Sequence, residues 1–195
     1  MAASGEAAPV EIRGARATIL ASARREILVA GWQAATSGRV AEGVGVSKAL
    51  VHYHFRDKHA LLLALALGAQ EAIRERSAKA PRAMEREHPV DAFSEWVESE
   101  LVAEDVRLAL QLRHTSSAAT NRAADGALAD FRRALTRQVA AVFDSLGVSP
   151  RVSIALVSEL FGTMAVGLAS EPGRAPRESR RALETLWLAV LSMAD

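Results

Sequence analysis

Along this chain apolar residues return every three or four positions, with no convincing strand alternation in twos, a pattern that predicts helices throughout. In 13–30 the recurring positions are Ile19, Leu20, Ala23, Ile27 and Ala30, and Gly31 stands where a helix ends on a residue of positive φ. Thr36 reads as the N-cap of a short second helix over 37–43, with Val40, Ala41 and Val44 inward. Gly45 makes the next break. Ser47 then caps a third helix over 48–54, and Asp57 a fourth over 58–79 with Leu61, Leu62, Leu65, Ala69 and Ile73 on one face; Pro81 stops it. Pro89 opens a fifth helix with Phe93, Val97 and Leu101 in line, and a sixth covers 104–115. A long seventh carries the stripe Leu128, Phe131, Leu135, Val139, Val142 and Leu146 and ends at Gly147. Ser149 as N-cap and Pro150 as first-turn proline start an eighth helix reaching Ala169. After the break Glu171-Pro172-Gly173, Pro176 starts a ninth that ends near Met193. The expectation is an all-α fold of about nine helices.

Composition narrows the class. In 195 residues, 50% are hydrophobic and 24% charged, which supports a packed core and excludes wholesale disorder. The absence of cysteine excludes disulfide scaffolds, Fe–S clusters and Cys-ligated zinc. Uncharged apolar stretches such as 60–70 are too short to cross a bilayer. The opening residues include Glu6 and lack a basic and an apolar region, so no signal peptide and a cytoplasmic location are expected. The net charge of +1 hides an asymmetry. Residues 1–60 hold eight Lys/Arg against five Asp/Glu, and residues 61–195 sixteen against eighteen. A basic N-terminal module on a mildly acidic body suggests that the first part meets a polyanion.

The chemistry concentrates in 31–58, GWQAATSGRVAEGVGVSKALVHYHFRDK. Two short helices meet at a glycine turn. The second is only two turns long and needs propping by Val46, Val51 and Phe55. What remains outward is Ser47, Lys48, Ala49, Leu50, His52 and Tyr53: donors, a cation, an aromatic ring and a methyl on one protruding helix. The major groove of B-DNA admits one α-helix and is read by such side chains. His54, Arg56 and Lys58 follow, in reach of flanking phosphates. His52, His54 and His59 lack a further ligand at metal spacing, so no metal or other cofactor is expected.

These residues resemble the DNA-binding domain of the tetracycline-repressor (TetR) family of bacterial transcriptional regulators. The match runs through Ile19-Leu20 and Ala23, Gly31-Trp32, Thr36, Val40-Ala41, Gly45-Val46-Ser47, Tyr53-His54-Phe55, and Lys58 with Leu61, without an insertion, over roughly residues 13–65. The chain departs from the family pattern at Ala49, Leu50 and His52, at Glu26 in place of an apolar residue, and at Gly38 inside the second helix, where glycine costs about 1 kcal/mol relative to alanine. The small and polar opening residues with Pro9 read as a frayed, flexible N-terminus over 1–12, and the resemblance implies a helix-turn-helix domain over 13–60 and a larger helical domain over 61–195 for effector binding and dimerisation. It implies DNA contacts from Thr36, Ser37, Arg39, Ser47, Lys48, Ala49, Leu50, His52, Tyr53, His54 and Lys58. It further implies an effector pocket, for which Phe93, Trp96, Arg113, His114, Phe131, Phe161 and Met164 are candidates. The dimer interface is expected from the last two helices, through Leu156, Leu160, Leu183, Leu186, Trp187, Val190 and Leu191, with the stripe containing Leu183 and Trp187 facing outward.

The function expected is that of a homodimeric repressor, released from a palindromic operator in duplex DNA by a small molecule and independent of membranes. A helical carrier or enzyme is the alternative from another class. The sequence argues against it by lacking G-x-S-x-G, P-loop, H-E-x-x-H and G-x-G-x-x-G patterns. An activator or an effector-independent regulator stays open.

Overall fold

The computed structural model describes residues 9–80, 88–171 and 176–194. Among them are nine α-helices: α1 (Pro9–Ala30), α2 (Ser37–Glu42), α3 (Lys48–His54), α4 (Lys58–Lys79), α5 (Pro89–Val102), α6 (Asp105–Leu112), α7 (Ala118–Leu146), α8 (Ile154–Ser170) and α9 (Pro176–Leu191), with one 3₁₀ turn at Trp32–Ala34. The fold is all-α, as the periodicity predicts. α1 starts at Pro9, inside the stretch expected to be frayed. Residues 1–8, Pro81 and the Pro172-Gly173 break lie outside the described residues.

The helix starts follow from side-chain capping. Thr36, Ser47, Asp57, Ser117 and Ser153 each accept a hydrogen bond from the backbone N–H three residues on, the bond an N-cap supplies to an otherwise orphan donor. Two glycines close helices by the same device. At Gly45 (φ 68°) the Gly45 N–H donates to Glu42 O and the Val46 N–H to Ala41 O; at Gly147 (φ 65°) the Gly147 N–H donates to Asp144 O and the Val148 N–H to Phe143 O. This paired 6→1 and 5→2 pattern is the Schellman motif, and its positive φ suits glycine.

One start differs from the expectation. α8 begins at Ile154 behind Ser153, not at Ser149-Pro150. Pro150 instead forms an isolated antiparallel bridge with Ala194, just past the end of α9. The chain is therefore held extended where the local signal read helix. α6 also stops earlier, at Leu112, because Thr115 and Asn121 tie the following turn together: the Thr115 N–H and Oγ1 donate to Asn121 Oδ1 at 3.0 and 2.7 Å.

A continuous apolar core runs from Ile19 of α1 to Val190 of α9. α4 is its axis, packed along α7 and α6 and touching α1, so the N-terminal helices and the body share one element. Near the far end Phe93, Phe161 and Trp187 meet ring to ring, with centroids 4.6 to 5.1 Å apart; Phe143 adds to Trp187 and Phe131 to Trp96. Leu183 and Trp187 are 0% exposed within the single chain. Their expected outward orientation is thus corrected: α5 packs on α9 and takes up that stripe.

Candidate nucleic-acid interface

α2 and α3 are too short to persist alone, and the contacts beneath them decide their pose. Val40, Ala41, Val51 and Phe55 are buried against Ile19, Ala23 and Ile27 of α1. A buried hydroxyl fixes the crossing: Ser22 Oγ of α1 donates to Val40 O at 3.0 Å. A Cβ on Gly43 would lie 2.6 Å from that Oγ, so Gly43 is small to let α1 and α2 approach.

On this base the outer face of α3 stands free. Ser47, Lys48, Ala49, His52 and Tyr53 are exposed, Tyr53 at 71%, while Leu50 and His54 are half-buried. His54 meets Tyr53 edge to face at 5.2 Å, which braces the phenol at the end of the helix. Thr36 and Ser47 use a lone pair each for capping, which leaves each hydroxyl proton for an outside acceptor. Ser37 is half-buried beside Thr36. Gly38 now has a reason: a Cβ there would sit 3.1 Å from Lys48 Cε, so the missing side chain makes room for the lysine stem across α2. Glu26 has one too, since Arg39 Nη2 reaches its Oε2 at 2.7 Å and ties α2 to α1.

Lys58 is more engaged than its sequence position suggests. Its ammonium donates to Gln33 O at 2.8 Å and lies 5.2 Å from the Trp32 ring centroid, and partial burial lowers its pKa. It thereby pins the 3₁₀ turn to the start of α4. Thr36, Ser37, His52, Arg56 and Lys58 border one cavity of about 310 Å³ between α2, α3 and α4. Asp57, whose Oδ1 is taken up by the Ala60 N–H, and the apolar Val51, Phe55 and Leu61 complete its lining, so the hydroxyls and cations stand at the rim of an apolar hollow. Arg16 was not singled out in the sequence; it lies over the Phe55 ring at 5.2 Å, and only the return of α3 onto α1 brings the two together.

The effector candidates are placed differently from one another. Phe93 and Phe161 are buried ring to ring, Phe131 is buried against the Trp96 ring, and Met164 is half-buried against that core. Arg113 pairs with Asp125 at 3.3 Å, and His114 is exposed. Trp96, 6% exposed, borders a cavity of about 280 Å³ between the end of α4 and the middle of α5, together with Arg76, Lys79, Glu95 and Ser99. Leu156 and Leu160 of α8 are 47% exposed, Leu186 and Leu191 half-buried, and Val190 buried.

Sequence reasoning missed a charged chain below this cavity. Arg76 of α4 donates to both oxygens of Glu100 of α5, from Nε at 3.1 Å and Nη2 at 3.0 Å, and its Nη1 reaches Asp105 of α6 at 2.8 Å. Asp105 is bonded in turn to Arg24 of α1, which also donates to Ala103 O. Glu100 is fully buried, and burial pushes its carboxyl above the usual range despite the guanidinium. No sequence spacing signals a bond between residues 24 and 105.

Residues 19–65 match the model of the bacterial regulatory proteins, tetR family. Over these residues the chain is similar to that family. The likeness in fold extends beyond them, over most of the chain. A TetR family transcriptional regulator, PfmR, from Thermus thermophilus superposes with a TM-score of 0.67 at 20% identity, covering 86% of this chain and 92% of its own. AibR, solved with isovaleryl coenzyme A and operator DNA, gives 0.68 at 16%, covering 89% and 97%. FadR from Bacillus subtilis, solved with stearoyl-CoA, gives 0.64 at 15%, covering 87% and 96%. No curated protein sequence matches the chain. In the TetR arrangement α2 and α3 are the helix-turn-helix, and the exposed residues of α3 named above lie on its second helix. Among the described residues no helix is long and apolar enough to cross a membrane, and no group of three His, Asp or Glu is placed to hold a metal.

Proposed function

We propose that the protein is a homodimeric, ligand-responsive transcriptional regulator, a repressor that leaves a palindromic DNA site when a small molecule binds, acting in the cytoplasm and without catalysis. The observation that carries this reading is the outer face of α3, where Ser47, Lys48, His52 and Tyr53 stand exposed on a helix capped at its start and locked by Val51 and Phe55 beneath. A dimer offers two such helices to successive major grooves, about 34–36 Å apart. Neighbours solved with operator DNA or with an acyl-CoA support the two-ligand reading.

Linkage supplies the mechanism. A ligand that prefers a conformation with another spacing of the two α3 helices weakens DNA binding by the factor by which DNA weakens the ligand. The test is fluorescence anisotropy on a duplex selected by the protein from a random pool, across a salt series. Affinity is expected to fall steeply with salt, as released counterions require. Lys48→Ala is expected to change sequence preference, and Arg56→Ala to weaken all duplexes alike and flatten the salt slope. Binding that ignores salt and both substitutions would refute the reading.

A further inference from the structure

The charged chain Arg24–Asp105–Arg76–Glu100 ends at the cavity between α4 and α5. Arg76 forms part of its wall, with Glu100 fully buried behind it. Lys79 adds a second cation to the wall; Glu95, which faces Arg180 at 3.9 Å, and Ser99 add a carboxylate and a hydroxyl, and Ala80, Ala92 and the Trp96 ring make the apolar part. The indole Nε1 of Trp96 is buried without a hydrogen-bond partner. Unpartnered buried donors are uncommon, and each calls for an explanation. A cation already shared between two carboxylates, an unused donor and a flat ring around about 280 Å³ form a receptor for a small acid.

We propose that this cavity binds a small organic carboxylate with a flat apolar body, whose acid group competes with Glu100 and Asp105 for the guanidinium of Arg76. Arg76 presents a planar fork that accepts a carboxylate through two parallel bonds, and it already holds Glu100 in that way. An incoming acid offers the same geometry, and its ring covers the Trp96 indole. Burial disfavours the charged form of Glu100, so its claim on Arg76 is weaker than that of an ionised carboxylate arriving from water with Lys79 beside it. Once Arg76 turns to the ligand, the buried Glu100 takes up a proton from water, the form its burial favours, and Asp105 loses one of its two arginines. Arg24 of α1 is then held to α6 by a carboxylate no longer anchored to α4. The acid thus loosens the joint between α1, which supports α2 and α3, and the body. The proposal rests on the regulator reading only for its effect on DNA.

The experiment titrates the full-length protein, free of DNA, with phenylacetate and with phenylacetamide, following tryptophan emission and calorimetry. Phenylacetate is expected to bind saturably at about millimolar concentration, as suits a ligand of so few atoms, and the amide not to bind. Glu100→Gln removes the competitor, so it is expected to tighten phenylacetate about tenfold. Arg76→Gln alone leaves Glu100 buried without its cation and is prone to misfold. The pair Arg76→Gln/Glu100→Gln keeps two neutral partners and is expected to fold, by circular dichroism, yet to lose phenylacetate. Trp96→Phe is expected to abolish the emission change. Equal binding of acid and amide, no saturable binding of phenylacetate, or undiminished binding by the double variant each overturns the site. A second arm measures the selected duplex with and without phenylacetate. Acid binding that leaves DNA affinity unchanged overturns the coupling, whereas a protein that binds the acid and never DNA leaves the site standing and sinks the regulator reading instead.

Discussion

Two glycines on α2 and its end show how much a missing side chain can decide. Neither has a positive φ. Gly43 gives way to Ser22 Oγ, which is buried and bonded to Val40 O, so nothing there moves cheaply. Gly43→Ala is expected to destabilise the protein by about 1–3 kcal/mol through overpacking and a displaced buried hydroxyl, measured by urea unfolding. Gly38 gives way only to the flexible end of Lys48. Gly38→Ala is therefore expected to raise stability by up to about 1 kcal/mol, the helix-propensity difference, while pushing the Lys48 ammonium off its path and lowering DNA affinity. A variant that is more stable and binds DNA unchanged refutes the role given to the Lys48 stem. From the sequence, Gly38 read as a cost and Glu26 as a departure. Both are answered by partners on another helix, Lys48 and Arg39, which no local pattern contains.

At the scale of elements, the caps were legible because they are local. Thr36, Ser47 and Asp57 each bond a backbone N–H three residues away, and α3 and α4 span the residues that the spacing predicts. Ser149-Pro150 carries an equally good local signal and fails, because Pro150 is claimed by Ala194 from beyond α9. The stripe on α9 was legible as apolar but not as inward, since the α5 face that covers it lies some ninety residues earlier in the chain. α4 and α7 are also joined by charge. Burial raises the pKa of Asp130 of α7, but hydrogen bonds from Gln70 and Arg133, and the charges of Arg133 and Arg74, outweigh it and hold the carboxyl below its ordinary 3.8. The folded carboxyl thus gives up its proton more readily than the unfolded one. It adds stability above 3.8 that is lost as pH falls through the lower folded value. Asp130→Asn is expected to be less stable than the parent at neutral pH, with the gap closing below 3.8 in acid unfolding curves. A gap independent of pH would assign the loss to packing.

For the molecule as a whole, the proposed dimer raises the question which surface a second copy would cover. The dimer expected from α8 and α9 cannot use Leu183 or Trp187, both 0% exposed and locked in the aromatic core. What these helices leave outside is Leu156 and Leu160 on α8, 47% exposed, and Leu188 on α9, 71% exposed. Small or polar neighbours, Ala155, Thr163 and Gly167 on α8 and Ala189 on α9, flank them and are exposed too, so two helices of a partner can approach closely. A patch of large apolar side chains on two adjacent helices is what the core of an interface presents. Leu160→Asp with Leu188→Asp is expected to yield a monomer by light scattering, with helicity retained, because neither side chain supports the chain's own core. Trp187→Ala is expected to act differently, losing about 3–5 kcal/mol of stability from the cavity it opens against Phe93, Phe143 and Phe161. The two variants separate association from folding. An intact dimer in the aspartate variant rejects this face, and a DNA affinity that survives in a proven monomer rejects the need for two α3 helices at once.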